Sequence, residues 1–156
     1  MAPTTLGTYR IVRQLGEGGM GVVYEAVNDA IERRVAIKVL HPEYSKNADV
    51  TARFFNEARA VNRIEHPGLV QISDHAQLSD GTTYIVMEFL KGESLASRLQ
   101  RGRLPAGQAL VVAWQVADAL SAAHAKNIVH RDLKPDNVML VADTIAPGGE
   151  RAKLLD

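Results

Sequence analysis

The chain has 156 residues, with 18 basic against 18 acidic side chains, no cysteine, and 46% hydrophobic but only 5% aromatic residues. At this length roughly two thirds of the unfolded surface can be buried, so one sizeable soluble core is allowed. Balanced charge removes the basic excess that nucleic acid or an anionic membrane requires. The missing thiols exclude a disulfide framework, a thiolate nucleophile and cysteine-ligated zinc.

In chain order, the stretch from Tyr9 to Leu40 predicts three antiparallel strands, divided by Gly16-Glu17-Gly18-Gly19-Met20-Gly21 and by Asn28-Asp29. In the third, Val35, Ile37 and Val39 alternate with Ala36, Lys38 and Leu40, so both faces are apolar except at Lys38. From about Ala48 to Arg63 the period becomes helical, with Val50, Phe54, Glu57, Ala58 and Val61 on one stripe. Two more strands are expected over Leu69 to Gln77 and Thr82 to Phe89, joined by Ser79-Asp80-Gly81. Ser94 reads as the N-cap of a short helix ending near Gly102, and Pro105 opens a long helix to about Lys126. That helix carries two apolar stripes, one through Val112, Val116, Ala119 and Ala123, the other through Leu110, Trp114, Ala117 and Leu120, and so expects burial on several sides. A polar loop, a short strand, a Pro147-Gly148-Gly149 turn and a last strand complete the chain.

Gln115, Asp118 and His124 interrupt the apolar run from Ala109 to Ala125, short of the ~18–20 residues of a membrane span. Met1 to Thr8 lacks the features of a secretory signal, and the expected compartment is the cytoplasm.

Three features carry chemistry. Gly16, Gly18 and Gly21 have G-x-G-x-x-G spacing, but a strand follows them rather than the helix of a dinucleotide-binding unit. They read equally as an ordinary hairpin or as a loop whose bare backbone closes over phosphates. Lys38 alone would be a lysine snorkelling from a sheet. Burying either Lys38 or Glu57 unpaired would cost several kcal/mol, so the two are expected to meet and to hold an ammonium where a polyphosphate binds. In His130-Arg131-Asp132-Leu133-Lys134-Pro135-Asp136-Asn137, Asp132 can accept a hydroxyl proton. Lys134 can meet a transferred phosphate, and the Asn137 amide oxygen can take a divalent cation, with Asp156 as a second ligand.

With these motifs in this order, the sequence resembles the eukaryotic-type protein kinases, in the wording of their bacterial members. The match runs through the glycine loop from Leu15 to Val23, Val35-Ala36-Ile37-Lys38, Glu57, the Met87-Glu88-Phe89-Leu90 connection and His130 to Asn137. The resemblance implies an α+β fold: a five-stranded antiparallel N-lobe with one helix over 9–90, after an N-terminal tail over 1–8. The first helices and the catalytic loop of a truncated C-lobe then occupy 91–156. It implies ATP held between the lobes, with Leu15, Val23, Ala36, Met87 and Met139 around the adenine and backbone groups of Glu88 and Leu90 on its edge. Lys38, positioned by Glu57, would contact the α- and β-phosphates, Asn137 and Asp156 would hold Mg²⁺, and Asp132 would deprotonate the acceptor. Lys134 in Asp-Leu-Lys-Pro-Asp-Asn is similar to the serine/threonine branch, so the expected partners are proteins with Ser or Thr acceptors. Arg131 implies control through an activation loop.

The loop from Val141 to Ala152 is longer than the family's tight turn. The chain stops at Asp156 where the family continues Asp-Phe-Gly. The expectation is therefore a fragment that alone is poorly stable and inactive, and the alternative reading is a catalytically inactive nucleotide-binding fragment or scaffold. A membrane anchor further downstream remains compatible with this.

Overall fold

The structure, a computed structural model, describes residues 4–155. The chain divides into two compact units: the described part of Met1–Arg59 with Gln71–Phe89, and Ala60–Val70 with the described part of Leu90–Asp156. Residues 60–70, expected with the first lobe, thus belong to the second unit.

The first unit is built on β1 (Thr5–Leu6), β2 (Tyr9–Glu17), β3 (Gly21–Asn28), β4 (Arg33–Leu40), β5 (Ile72–Gln77) and β6 (Thr83–Glu88), in the sheet order β1-β2-β3-β4-β6-β5. All pairs are antiparallel. Opposed residues of an antiparallel pair share a face. On one face Ala26, Val35, Ile37, Tyr84 and Val86 form a core with Leu6. The expected N-terminal tail is thereby corrected: Leu6 is 2% exposed, and burying that side chain is what brings the short β1 onto the sheet edge. The fourth expected strand begins at Ile72 rather than Leu69. Two helices belong to this part of the chain, α1 (Pro42–Ser45), which the sequence did not announce, and α2 (Ala48–Asn62). Asn47 caps α2, its Oδ1 accepting from the amides of Asp49 and Val50 at 3.0 and 3.2 Å.

The second unit contains β7 (Gly92–Ser94), α3 (Leu95–Gln100), α4 (Ala106–His124), β8 (Val138–Ala142) and β9 (Glu150–Leu154). The strands form a three-stranded antiparallel sheet in the order β7-β8-β9. Ser94 caps α3 as expected, accepting from the Ser97 amide at 3.0 Å. Ile64, Leu69, Ala119, Ala123, Val138, Leu140, Ala152 and Leu154 make the core.

The outer edge of β9 would otherwise present unpaired backbone groups. The buried Gln115 of α4 donates to the Glu150 carbonyl at 3.0 Å and accepts from the Ala152 amide at 2.9 Å. Further along the same edge the Leu154 amide donates to Gly68 O and its carbonyl accepts from the Val70 amide. Only the stripe of α4 through Ala119 and Ala123 is buried; on the other, Leu110 and Trp114 are 71% and 59% exposed. The expectation of burial on several sides is not met in this unit, whose sheet covers one side of the helix. Among the described residues no helix is long and apolar enough to cross a membrane.

Candidate active site

In the first unit, the face of the sheet opposite the core collects most of the expected nucleotide-binding residues. Gly16 stands opposite Val23, Val23 opposite Lys38, and Lys38 opposite Ile85. One row along, Glu25, Ala36 and Met87 oppose one another in turn. Ala36 and Met87 are buried and Val23 and Lys38 half-buried, while Leu15 stays 40% exposed near the end of β2. Glu88 is fixed at both its amide, which donates to Gln71 O at 2.9 Å, and its carboxylate, which accepts from the Gln71 amide at 3.0 Å.

The motif glycines are of two kinds. A Cβ on Gly21 would collide with the Val39 carbonyl, so the β3–β4 pairing itself requires glycine there. A Cβ on Gly16 or Gly18 would meet nothing within 4 Å, and neither residue has a left-handed backbone. The protein's own packing gives no reason for those two, which fits a backbone kept bare for a ligand. The turn is closed by the Gly18 amide bonding Gly21 O at 2.9 Å. It is also tethered by His41, whose amide donates to Met20 O at 3.0 Å and whose Nε2 lies 3.1 Å from Gly18 O. Nothing in the motif's spacing pointed to His41.

Glu57 departs from expectation. It is exposed on α2, and among the described residues no ion pair joins it to Lys38. The buried line of α2 runs through Thr51, Phe54 and Ala58. At 100° per residue Glu57 lies about 90° around the helix from the middle of that line, so the stripe drawn through it was displaced.

The second unit holds the loop residues. Arg131 adopts φ 65°, a left-handed backbone that costs a non-glycine residue about 1–2 kcal/mol. Strain of this kind persists where the surroundings hold it, and here His130 does so. Its Nε2 donates to Leu155 O at 2.8 Å, and its Nδ1 accepts from the Asp132 amide at 3.3 Å. The exposed Asp132 carboxylate meets Lys134 Nζ at 3.0 Å and accepts from Asn137 Nδ2 at 3.1 Å, while the same amide donates to Asp132 O at 2.9 Å. The Lys134 hydrogen bond, above all, holds the Asp132 carboxyl below its usual range; desolvation is the next largest effect and opposes it, and the Lys134 charge, the Asn137 hydrogen bond and the His130 charge add lesser lowering contributions. Both partners of Nδ2 are acceptors, which fixes the Asn137 amide orientation. Its Oδ1 accepts no hydrogen bond among the described residues and is available to a cation. Met139, on β8 opposite Ser94 and Lys153, is half-buried, as is Leu90. Asp156 lies outside the described residues.

The first unit thus carries a glycine hairpin with a lysine on the adjoining strand, and the second an Asp-x-Lys-x-x-Asn loop. Residues 9–156 match the protein kinase domain family, and the chain belongs to that family. It is 44% identical, over 159 residues and its whole length, to the serine/threonine-protein kinase pkn2 of Myxococcus xanthus, of which it covers 19%. It is 43% identical over 142 residues, 88% of this chain and 33% of the relative, to the serine/threonine-protein kinase PknA of Mycobacterium tuberculosis. The crystal structure of the Mycobacterium tuberculosis PknI kinase domain superposes with a TM-score of 0.75 at 30% identity, covering 99% of this chain and 62% of that one. The chain thus spans about a fifth to a third of its curated relatives.

Proposed function

We propose that this chain carries the ATP-binding and catalytic-loop part of a serine/threonine protein kinase, which moves the γ-phosphoryl of ATP onto Ser or Thr hydroxyls of proteins. The observation that carries the reading is Asp132: an exposed carboxylate kept ionised by Lys134 and oriented by Asn137, in a family whose curated relatives are named serine/threonine-protein kinases.

The bare Cα atoms of Gly16 and Gly18 let backbone amides approach the phosphates. Lys38 meets the α- and β-phosphates from the middle of the sheet. Val23, Ala36 and Met87 offer the adenine an apolar surface on one sheet face of the first unit; Leu15, Met139 and the main chain of Glu88 and Leu90 keep the adenine roles that the family resemblance implies. Asp132 takes the proton of the acceptor hydroxyl as the hydroxyl oxygen bonds to the γ-phosphorus. The bond from that phosphorus to the β,γ-bridging oxygen breaks, and ADP leaves with the electron pair. The Lys134 ammonium offsets the charge of the phosphoryl in transit. Asn137, through Oδ1, and Asp156 would hold Mg²⁺, which supplies charge neutralisation on the phosphates. Lys38 is assigned this role without Glu57.

The test is transfer from γ-labelled ATP to casein by the full-length protein. Labelled Ser and Thr but not Tyr are expected, with loss of transfer and an unchanged far-ultraviolet spectrum in Lys38→Ala and Asp132→Asn. Undiminished labelling in either variant would refute the role of that residue.

A further inference from the structure

The mechanism above leaves one buried charge unused. The side chain of Glu25 on β3 is 4% exposed, whereas those of its partners Arg13 and Arg34 are 60% and 52% exposed. Oε2 lies 2.8 Å from Arg13 Nε on β2. Oε1 accepts from Arg34 Nε on β4 at 3.0 Å and also from Arg34 Nη2. The Arg34 guanidinium carbon in turn lies 4.4 Å from the centroid of the Phe89 ring, and Phe89 follows directly on Glu88 at the end of β6. The planar guanidinium can give its edge to a carboxylate and its face to an aromatic ring at once.

Position separates this cluster from an ordinary surface ion pair. Glu25 stands opposite Ala36, and Ala36 opposite Met87, so the carboxylate shares a row of the sheet with two residues assigned to the adenine. Stability alone gives no reason for it. Exchanging a buried ionic group for an apolar side chain that packs well is often neutral or stabilising, and the neighbours on that face of β3, Val23 and Val27, are apolar.

We propose that Glu25 is a positioning residue for the nucleotide: by fixing Arg34 it holds Phe89, and with it the main chain of Glu88 that reads the adenine edge. This rests on the nucleotide-binding reading given above. The chain of action is Glu25 to Arg34 to Phe89, and no link in it touches the phosphates. Affinity for ATP should therefore suffer while the transfer step is spared.

The experiment measures KM for ATP, kcat and thermal melting on the full-length protein and on Glu25→Leu, Arg34→Lys and Phe89→Leu, with MgATP binding followed by calorimetry. Glu25→Leu should melt within about 3 °C of the parent and raise KM about five- to tenfold, with kcat changed less than about twofold. Arg34→Lys and Phe89→Leu should each raise KM by a similar factor, and the double variant should add nothing further, because both remove one contact. Glu25→Gln, which keeps an acceptor for Arg34, should recover part of the loss. An unchanged KM in Glu25→Leu beside a parent that binds MgATP would overturn the proposal alone. So would loss of cooperative melting in that variant, which would make the carboxylate structural. A parent that binds no MgATP would overturn the nucleotide reading and this proposal with it.

Discussion

Gln115→Leu tests how the second unit is held together. The side chain is 4% exposed, and its amide satisfies two backbone groups on the outer edge of β9, the Glu150 carbonyl and the Ala152 amide. Leucine keeps the volume and removes both partners. Ala152 is 1% exposed, so its N–H is left without access to water, at a cost of about 1–3 kcal/mol. The Glu150 carbonyl lies in a part-buried setting and adds about 1 kcal/mol. The expected loss is about 2–4 kcal/mol, read as a lower urea midpoint at unchanged slope. Gln115→Glu supplies an internal control: its ionised oxygen faces the Glu150 carbonyl, so this variant should regain stability as pH falls and the protonated carboxyl becomes a donor. A loss under about 0.5 kcal/mol in Gln115→Leu, the range of a neutral surface change, would refute the reasoning. The outcome bears on function because β9 leads directly to Asp156.

Three other outcomes are expected. Lys134→Ala removes the main cause of the low Asp132 pKa, so a carbon-13 titration should find that carboxyl shifted up towards its ordinary value, and the acid limb of activity should move to higher pH. No upward shift would assign the effect elsewhere. Glu93, held down to about 2 first by Arg101 and then by Arg98, supports folding above its ordinary value of 4.5, and that support disappears as pH falls towards about 2. Glu93→Gln should therefore lose less stability than the parent between about pH 6 and about pH 3; equal slopes would count against the assignment. Gly21→Ala forces β3 and β4 apart at the Val39 carbonyl, an overpacking expected to cost about 1–3 kcal/mol by chemical denaturation, and a stable variant would show that the strands yield.

The sequence was most legible where its pattern is local. The alternation around Val35, Ile37 and Val39 marks β4, and Ser94 marks the start of α3, because each depends on neighbours a few residues away. β1 and β7, of two and three residues, are too short to show a period and exist through pairing with distant strands. The stripe on α2 went astray for a different reason. Three-and-four spacing admits two adjacent lines on a helix, and Thr51, buried with its hydroxyl 3.4 Å from Ser45 O, selects the line that leaves Glu57 outside. On α4, Leu110 and Trp114 advertise an apolar face, yet a period states only which faces are apolar and not whether anything lies against them. Among the candidate site residues, the order of motifs pointed to Lys38 in the first unit and to Asp132 and Asn137 in the second. The ties of His41 to the glycine turn and of Glu25 to Arg34 join residues with no shared motif, and only the strand register brings them together.

The glycine signature thus superposes two kinds of constraint. Position 21 answers to the neighbouring strand of this chain, whose Val39 carbonyl a Cβ would meet, whatever the chain binds. On the proposed nucleotide reading, positions 16 and 18, where a Cβ would meet nothing within 4 Å, answer to the phosphates instead. A descendant that had given up nucleotides while keeping the sheet would hold glycine at 21 and be free to drift at the other two. Substitutions at those two positions, more than the survival of the whole motif, would tell a retired kinase from a working one.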